Sequence, residues 1–400
     1  MKILLVNDYG SPIGGAEVLT FALRDALRQQ GHDVRLFSSS VGTSVDSEKA
    51  EYECYGTLSR FRTLLQTLNP WAYLRLRRVL QEFRPDVVHV RMFLTQLSPL
   101  ILPLLRDVPC LYHVVWYRPV CPIGTKMLPD GTACQTPAGV VCYRNHCLPL
   151  RDWFPLMLQM KLWRRWRHVF NLVVANSEAT RRYLVAEGIE PVKVVWNGVP
   201  IQLPRSPLSP PPTVVFAGRL VREKGVDVLL HAFVKVVARI PEARLLVIGD
   251  GPEQETLGEL IGKLGLVPNV SMLGHLSRSE MERHCAKAWV QAVPSRWVEP
   301  FGLVAAEAMM RGTAVIASNS GGLAEIVQNG QTGFLAPSGD IHAFAKALLH
   351  LLGDRELAER MGKAGREVAL VLFSEAAWID KFVVLYQTLC QSDARSTAVS

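Results

Sequence analysis

Residues 294–337 read PSRWVEPFGLVAAEAMMRGTAVIASNSGGLAEIVQNGQTGFLAP. The segment LVAAEAMMR is typical of a helix, and Gly312 directly after it suits a helix C-terminus. Pro300 suits the first helical position, where its fixed φ and missing N–H are tolerated. Glu299 is then expected just before the helix, and Glu307 about two turns inside it. The segment therefore predicts a strand–helix junction with a carboxylate on each side of the turn.

The start of this helix predicts an anion-binding site. The unpaired N–H groups of Phe301, Gly302 and Leu303 would point outward from the positive end of the helix dipole. A ligand with a phosphate there could reach Glu299 with one part and Glu307 with another. This suits a nucleotide-sugar, which has hydroxyl groups on both sides of a pyrophosphate. An ordinary amphipathic helix is the alternative; it explains Glu307 adequately and Glu299 poorly.

The whole segment resembles the signature of the retaining GT-B glycosyltransferases of family 4, the glycosyl transferases group 1. That signature is approximately PS-x-x-E-x-F-G-x-x-x-x-E-A-x-x-x-G-x-x-V-I-x-S, then GG-x-x-E-I-V and G-x-x-G-F-L, and almost every fixed position matches. The resemblance extends from Lys2 to about Leu389. It implies an α/β protein of two Rossmann-like domains facing each other across a cleft. It also implies sugar transfer from a nucleotide-sugar donor with retention at the anomeric carbon.

The composition is that of a two-domain protein without a membrane span. Four hundred residues, 49% of them hydrophobic, are enough for two separate cores. No run approaches 18 consecutive apolar residues, so no transmembrane helix is expected. The apolar run after Lys2 is too short for a signal peptide and indicates a first strand. A cytoplasmic location is therefore expected, either free or peripheral on the cytoplasmic face of the membrane.

The net charge of +8 lies entirely in the first half of the chain. Residues 1–200 contain 24 Lys and Arg against 16 Asp and Glu, whereas residues 201–400 contain 20 of each. This asymmetry predicts an anionic partner for the first half: a lipid-linked phosphate acceptor, an anionic membrane surface, or nucleic acid. The acceptor of the sugar is expected to be a saccharide or a lipid-linked molecule. No recognition-helix, zinc-finger or stacking-platform motif accompanies the charge, so nucleic acid is not expected.

Strand-like and helix-like segments alternate through both halves, which predicts two parallel, doubly wound sheets. We expect an acceptor-side domain over residues 1–200, a proline-rich linker over 201–212 and a donor domain over 213–373. In the resembling family the last helix, here 374–391, crosses back onto the first domain. The tail 392–400 is expected to be disordered.

Two cations near the start of the second domain predict a diphosphate site. Arg219 and Lys224 flank a short loop after a strand that ends at Gly218, and cations beside a helix N-terminus can hold a pyrophosphate as it leaves. A solvated surface loop is the alternative. The string G-R-L-x-x-x-K-G matches the family's diphosphate-binding loop, and the resemblance also implies a backbone contact to the nucleobase near Gly274.

No Asp-x-Asp motif follows a strand to hold a metal–diphosphate complex, so metal-independent catalysis is expected.

The resemblance implies distinct roles for the two glutamates. Glu299 would hold sugar hydroxyls and Glu307 the ribose, while the leaving diphosphate accepts the proton of the acceptor. No carboxylate pair resembles a nucleophile and an acid on opposite faces, which argues against a double-displacement hydrolase. A GT-B epimerase or sugar-phosphate synthase, and a non-catalytic nucleotide-sugar-binding protein, remain as alternatives.

Three residues of the first half are candidates for the acceptor side. Gly14 and Gly15 lie in a glycine-rich loop after the first strand, at the sheet edge where ligands bind; a plain flexible turn is equally compatible. His113 ends another strand at the same edge. In the family a histidine here lies near the reacting sugar, often followed by Asp, but Val114 follows in this chain. A structural histidine is the alternative.

Half of the eight cysteines cluster within 27 residues: Cys121, Cys134, Cys142 and Cys147. In a cytosolic protein such a cluster favours a metal over disulfides. No C-x2-C pair is present, however, so the spacing is not a standard zinc signature. A structural zinc or iron and a set of reduced buried thiols remain as alternatives.

Residues 157–170 predict a basic amphipathic helix. Lys161, Arg164, Arg165 and His168 share one face, with tryptophans roughly opposite. Such a helix can lie on an anionic bilayer. A helix that simply packs before the next strand is the alternative.

Overall fold

A computed structural model of the protein describes residues 1–12, 14–42 and 49–397, the last five of these by backbone alone. The chain divides into two units. The first comprises Met1–Pro129, Cys134–Trp196 and the chain from Trp378 onward, and the second comprises Asp130–Ala133 and Asn197–Ala377.

The apolar strands of the first unit form one parallel sheet. Its strands are β1 (Lys2–Tyr9), β2 (Asp33–Ser39), β3 (Tyr52–Cys54), β4 (Val87–Val90), β5 (Cys110–Val114), β6 (Leu172–Ala175) and β7 (Val192–Val194). Their order is β3-β2-β1-β4-β5-β6-β7. The chain moves outward from β1 in one direction and then returns to β4 on its other side. The carboxyl ends of β1 and β4 therefore flank a topological switch point, where ligands bind in such sheets.

Helices cover this sheet because a parallel sheet is apolar on both faces. They are α1 (Gly15–Gln29), α2 (Arg62–Thr67), α3 (Pro70–Phe83), α4 (Val141–Arg144), α5 (Leu150–Trp166) and α6 (Glu178–Ala186). The described part of this unit also contains 3-10 turns at Pro99–Leu105 and Arg167–Val169.

The second unit repeats the design with a six-stranded parallel sheet. Its strands are β8 (Thr213–Ala217), β9 (Arg244–Ile248), β10 (Val270–Gly274), β11 (Val290–Val293), β12 (Ala314–Ser318) and β13 (Gly333–Ala336). They are ordered β10-β9-β8-β11-β12-β13, so β8 and β11 flank the switch point. Its core includes the buried Phe233, Trp289 and Phe344.

The helices of this unit alternate with its strands. They are α7 (Val226–Val237), α8 (Gln254–Lys263), α9 (Arg278–Cys285), α10 (Leu303–Arg311), α11 (Leu323–Ile326), α12 (Ile341–Gly353) and α13 (Arg355–Leu372), with a 3-10 turn at Arg222–Lys224. The final helix, α14 (Glu375–Thr397), enters the first unit from Trp378 onward.

The predicted α/β class and the two parallel sheets are confirmed. The predicted tail 392–400 needs a correction, since α14 continues to Thr397; residues 398–400 lie outside the described part of the chain. The predicted linker 201–212 contains neither helix nor strand and belongs to the second unit. There the Nε of Arg205 donates to the carbonyl of Gly312 at 2.8 Å.

Candidate functional site

Glu299 is the centre of a buried polar group after strand β11. Its Oε1 accepts hydrogen bonds from the Nζ of Lys224 at 2.6 Å and from the Oγ of Ser295 at 2.7 Å. The residue is only 5% exposed. Burial alone would raise the pKa of Glu299, but the ion pair with Lys224 and the surrounding hydrogen bonds outweigh it and lower the pKa. The carboxylate is therefore ionised at neutral pH and held in one orientation.

Lys224 reaches Glu299 because two loops at the switch point are tied together. Lys224 ends the 3-10 turn that follows β8, and Gly225 after it has a left-handed φ of 66°. A Cβ on Gly225 would lie 2.2 Å from the carbonyl oxygen of Pro294, so only glycine permits this approach. The lysine ammonium also lies 5.3 Å from the centre of the Trp297 ring. Lysine and glutamate thus lie in the segments that follow the two strands at the switch point.

The helix after Glu299 begins later than predicted. Pro300 does not occupy its first position, because the backbone at Gly302 is left-handed (φ 112°) and α10 starts at Leu303. Glu307 therefore lies on the second turn, little more than one turn in rather than two. The N–H groups of Ala305 and Ala306 donate to Gly302, which leaves those of Leu303 and Val304 as the open donors of the described helix end.

Close backbone packing fixes this turn in place. The side chain of Phe301 is buried and packs edge-on against Phe373, with 5.9 Å between ring centres. The N–H of Gly322 donates to the carbonyl of Glu299 at 2.8 Å. A Cβ on Gly321 would lie 2.2 Å from that same oxygen. The GG pair after β12 therefore supports the Glu299 turn.

Glu307 is half-buried on α10, near the basic side chains of Arg311 and Arg278. Burial raises the pKa of Glu307; the two arginines lower it in part, and the carboxylate of Glu282 opposes them. Arg311 is itself paired with Glu282 at 3.1 Å. Glu307 is thus a second carboxylate on α10, about one turn from the helix end with the open N–H groups.

Three glycines form a row along the neighbouring strand ends. Gly218 follows β8, Gly249 follows β9 and Gly274 ends β10. The N–H of Gly249 donates to the carbonyl of Gly274 at 2.8 Å, and a Cβ on Gly249 would lie 2.0 Å from the carbonyl oxygen of Gly218.

Arg219 lies in the loop that follows β8, directly after Gly218. Its side chain is exposed and forms no ion pair within the part of the chain that the structure describes. The predicted cation is therefore at the sheet edge and is open to a ligand.

Comparisons with known proteins agree with this architecture. Residues 13–203 match the model of Glycosyltransferase Family 4, and residues 203–368 match that of Glycosyl transferases group 1. A GDP-mannose-dependent alpha-(1-6)-phosphatidylinositol monomannoside mannosyltransferase of Mycobacterium tuberculosis is 40% identical over 162 residues, 39% of this chain and 42% of the relative. A glycogen synthase of that organism is 33% identical over 196 residues, 48% and 47% of the two chains. The chain spans less than half the length of these curated relatives.

Two solved structures resemble the whole chain. Sucrose-phosphate synthase from Thermosynechococcus elongatus gives a TM-score of 0.77 at 23% identity, covering 98% of this chain and 100% of the other. HepE from Anabaena, in complex with UDP and glucose, gives 0.66 at 22% identity, covering 97% and 99%. The chain has the GT-B fold. In GT-B terms, the Lys224–Glu299 pair belongs to the second Rossmann-like domain.

The acceptor-side candidates of the GT-B chain lie in the first unit. Gly14 precedes α1 as its N-cap, and Gly15 is the first residue of that helix. His113 lies within β5 and has no exposed surface. Its ring centre is 4.9 Å from that of Phe382, and burial holds its pKa well below the ordinary value. In the described structure His113 is thus a neutral core residue beneath α14, and its proposed proximity to the sugar stays a prediction.

The four clustered cysteines are free thiols in one neighbourhood. Cys121 and Cys142 are buried, while Cys134 and Cys147 are partly exposed. Burial and, to a smaller extent, the nearby thiols raise the pKa of Cys147 to about 11. Among the described residues, no group of three or more His, Cys, Asp or Glu side chains is arranged to hold a metal. The structural zinc or iron therefore stays a prediction without geometric support.

The basic helix predicted over 157–170 is the second half of α5, but it ends at Trp166, and His168 lies in the 3-10 turn that follows. Trp163 is fully buried, and its Nε1 donates to the carbonyl of Pro119 at 2.9 Å. Lys161, Arg164 and Arg165 are exposed. This helix therefore packs through Trp163, as the simpler alternative proposed, and presents its cations outward. No helix within the described ranges is long and apolar enough to cross a membrane.

Sequence reasoning missed two partners of Glu299 and one buried cation. Ser295 and Trp297 lie in the quoted segment, but their role depends on how the turn folds back on itself. Arg118, in the first unit, is only 5% exposed and lines a cavity at the sheet edge. No local motif marked it, because the residues around it come from distant parts of the chain.

Proposed function

We propose that the protein is a glycosyltransferase that moves a sugar from a nucleotide-sugar donor to an acceptor hydroxyl. The observation that carries the proposal is the Lys224–Glu299 pair at the β8–β11 switch point, next to the open N–H groups of α10. A diphosphate would bind Arg219, Lys224 and the helix end, which are all positive. Glu299 would accept hydrogen bonds from the sugar, and Glu307 from the ribose.

Retention at the anomeric carbon is the stereochemical outcome that we propose. Glu299 already bonds Lys224 and Ser295, and its pKa is lowered, which suits a fixed hydrogen-bond acceptor better than a nucleophile or a proton donor. The leaving diphosphate would then take the proton of the acceptor on the same face of the sugar. Lys224 and Arg219 would stabilise its developing charge without a catalytic metal.

The donor would carry UDP or GDP, since HepE was solved with UDP and the mannosyltransferase relative is named as GDP-mannose-dependent. The acceptor would belong to cell-surface polysaccharide, lipopolysaccharide or glycolipid synthesis, on the cytoplasmic side of a membrane. The basic first half supports an anionic acceptor or surface.

A sugar-phosphate synthase is the second candidate, because sucrose-phosphate synthase gives a TM-score of 0.77 over nearly the whole chain. An epimerase would differ again, because it changes the nucleotide-sugar without an acceptor. Analysis of products with and without an added acceptor separates these three reactions. A nucleotide-sugar-binding protein without catalysis would give none of their products.

The test is a thermal-shift screen of UDP-, GDP- and ADP-sugars, followed by product analysis with the best donor. A ligand at 100 times its Kd should stabilise the folded state by about 2.7 kcal/mol. One nucleotide series should raise Tm well above the others, and EDTA should leave transfer intact. Absence of any shift from all three series would contradict the proposed donor site, and strict dependence on Mg²⁺ or Mn²⁺ would contradict the metal-free mechanism.

A further inference from the structure

A cavity lies at the carboxyl edge of the sheet in the first unit. Its volume is about 810 Å³, and it is lined by residues that end or follow three adjacent strands: Tyr9 for β1, Thr95 for β4 and Trp116 for β5. This is the switch point of that sheet, where the topology favours ligand binding. The cavity is thus placed like the donor site of the second unit, but it belongs to the first.

The walls of this cavity are strongly cationic. Four arginines line it against one carboxylate, Asp152: Arg60, Arg62, Arg118 and Arg151. Asp152 already accepts a hydrogen bond from Thr63 at 2.9 Å and lies 3.4 Å from Arg151. The cavity therefore has an excess of positive charge that an anionic group would neutralise.

Arg118 is the fixed cation of the group. It is 5% exposed, and it donates to the Oε1 of Gln66 at 2.8 Å and to the carbonyl of Leu94 at 3.2 Å. No carboxylate forms an ion pair with it within the described residues. Burial lowers its pKa to about 10, so it stays protonated at neutral pH. A guanidinium held in this way is well suited to a phosphate.

An apolar groove of about 720 Å³ continues from this cavity. The two share Ser59, Phe61, Leu64 and Pro155 along their common wall. The groove lies between α2, the start of α3 and α5. Its large apolar side chains are unusually exposed: Phe154 at 66%, Leu64 at 60%, Trp71 at 53% and Leu158 at 44%. A contiguous apolar surface of this kind indicates a binding site.

We propose that cavity and groove together bind one amphiphilic acceptor of the phospholipid class. Its phosphate lies among the arginines and its hydrocarbon chain lies in the groove. Charge complementarity selects the anionic head, and the shared wall makes the two parts one continuous site. The role of this lipid as an acceptor rests on the proposed transferase function, whereas its binding does not.

Binding is tested without a sugar donor, so that it cannot fail merely because the transferase proposal fails. The probe is monomeric dihexanoyl phosphatidylglycerol, titrated calorimetrically into the full chain. Its affinity should exceed those of dihexanoyl phosphatidylcholine and of glycerol 3-phosphate, each by roughly tenfold or more. The head of phosphatidylcholine has no net charge, because its ammonium offsets the phosphate, and glycerol 3-phosphate has no hydrocarbon chain. Dibutanoyl phosphatidylglycerol should bind more weakly, by roughly fourfold for each CH₂ that the groove no longer buries.

Two double variants separate the halves of the site. Arg62→Gln with Arg151→Gln should abolish the preference for the anionic head, and Leu64→Ser with Leu158→Ser should abolish the dependence on chain length. All four side chains are exposed, so the fold should persist, as an unchanged Tm would verify. Arg106→Gln and Val267→Ser, exposed residues that line neither part, should bind the lipid like the wild type.

Four outcomes would overturn the proposal. Equal affinity for glycerol 3-phosphate would indicate a free phosphate-ester site, and equal affinity for phosphatidylcholine would indicate simple apolar adsorption. No binding of any probe would remove the site altogether. Concentration-dependent self-association that disappears in the Leu64→Ser, Leu158→Ser variant would show that the groove is an interface between copies of this chain.

Discussion

The two sheet edges of this protein are built to the same plan and filled with different chemistry. In the second unit, the β8–β11 edge holds a buried Lys224–Glu299 pair, a row of glycines and a helix end. In the first unit, the β1–β4 edge opens into an arginine-lined cavity that continues as an apolar groove. The fold supplies both positions, and the side chains differ between them in the way that the proposed ligands differ, a diphosphate with a sugar at one edge and an amphiphile at the other.

The difference also lies in how far apart the contributing residues are along the chain. Glu299, Ser295 and Trp297 lie within five residues of one another, so a single loop carries most of the polar contacts. The arginine cavity instead combines Tyr9, Arg62 and Arg118, which belong to separate crossovers of the sheet. A site built on one loop leaves a sequence signature, whereas a site assembled from many loops leaves mainly an excess of charge.

The largest effect should follow from breaking the buried pair of the second unit. Glu299→Gln and Lys224→Met should each reduce kcat of sugar transfer by roughly 10²–10³, the range for loss of one preorganised electrostatic contact. Nucleoside diphosphate affinity should change little in Glu299→Gln, because its proposed contacts are to the sugar. Steady-state kinetics and calorimetric titration with UDP or GDP measure the two quantities.

The matched control is the Lys263–Glu259 pair of the same unit, which has a similar separation of 3.2 Å but is largely exposed. Exposed pairs contribute little to stability. Lys263→Met should therefore leave both kcat and donor affinity at wild-type values. Wild-type turnover by Glu299→Gln at saturating donor would show that the site assignment is wrong.

The strands were predictable because parallel strands buried on both faces are continuous apolar runs. The apolar run after Lys2, which predicted a first strand, is β1. The placement of Glu299 before a helix with an open N-terminus was predictable from its short-range turn signals. The start of α10 was not, because it depends on the left-handed backbone of Gly302, beside which Leu323 packs. Proline at the first helical position was the simpler local solution, and tertiary packing overrode it.

His113 and the tryptophans of α5 illustrate a second limit. A position at the end of a strand gives no information on whether another element covers the residue. His113 is covered by Phe382 of α14, which comes 269 residues later in the chain. In the same way, the periodicity of α5 predicted a basic face correctly but did not show that Trp163 is buried. Burial of this kind depends on contacts between segments that local patterns do not record.

Gly321 supports the Glu299 turn through close backbone packing. Gly321→Ala should destabilise the second unit by about 2–5 kcal/mol, because the left-handed backbone disfavours alanine and a Cβ would overlap the carbonyl oxygen of Glu299. Thermal melts of wild type and variant measure the loss. Gly339→Ala is the control, since Gly339 also has a positive φ but has open space around it. Equal losses in both variants would mean that backbone strain alone acts, and that the Glu299 turn does not need this close packing.

The smallest effect should come from the cations at the end of α5, and it tests whether the charge of the first unit acts outside the arginine cavity. Leu150, Phe154 and Leu158 recur every four residues along this helix, and the exposed Arg165 follows seven residues after Leu158, on the same face. Arg165→Gln should weaken partition to vesicles containing anionic lipid by about fivefold at low salt, since one basic residue near such a surface is worth about 1 kcal/mol. The difference should shrink as salt screens the interaction. Arg106→Gln, with the same loss of charge outside this face, should partition like the wild type in co-sedimentation. An equal loss in both variants would mean that only net charge matters, and the outward face of α5 would then have no special place at a membrane.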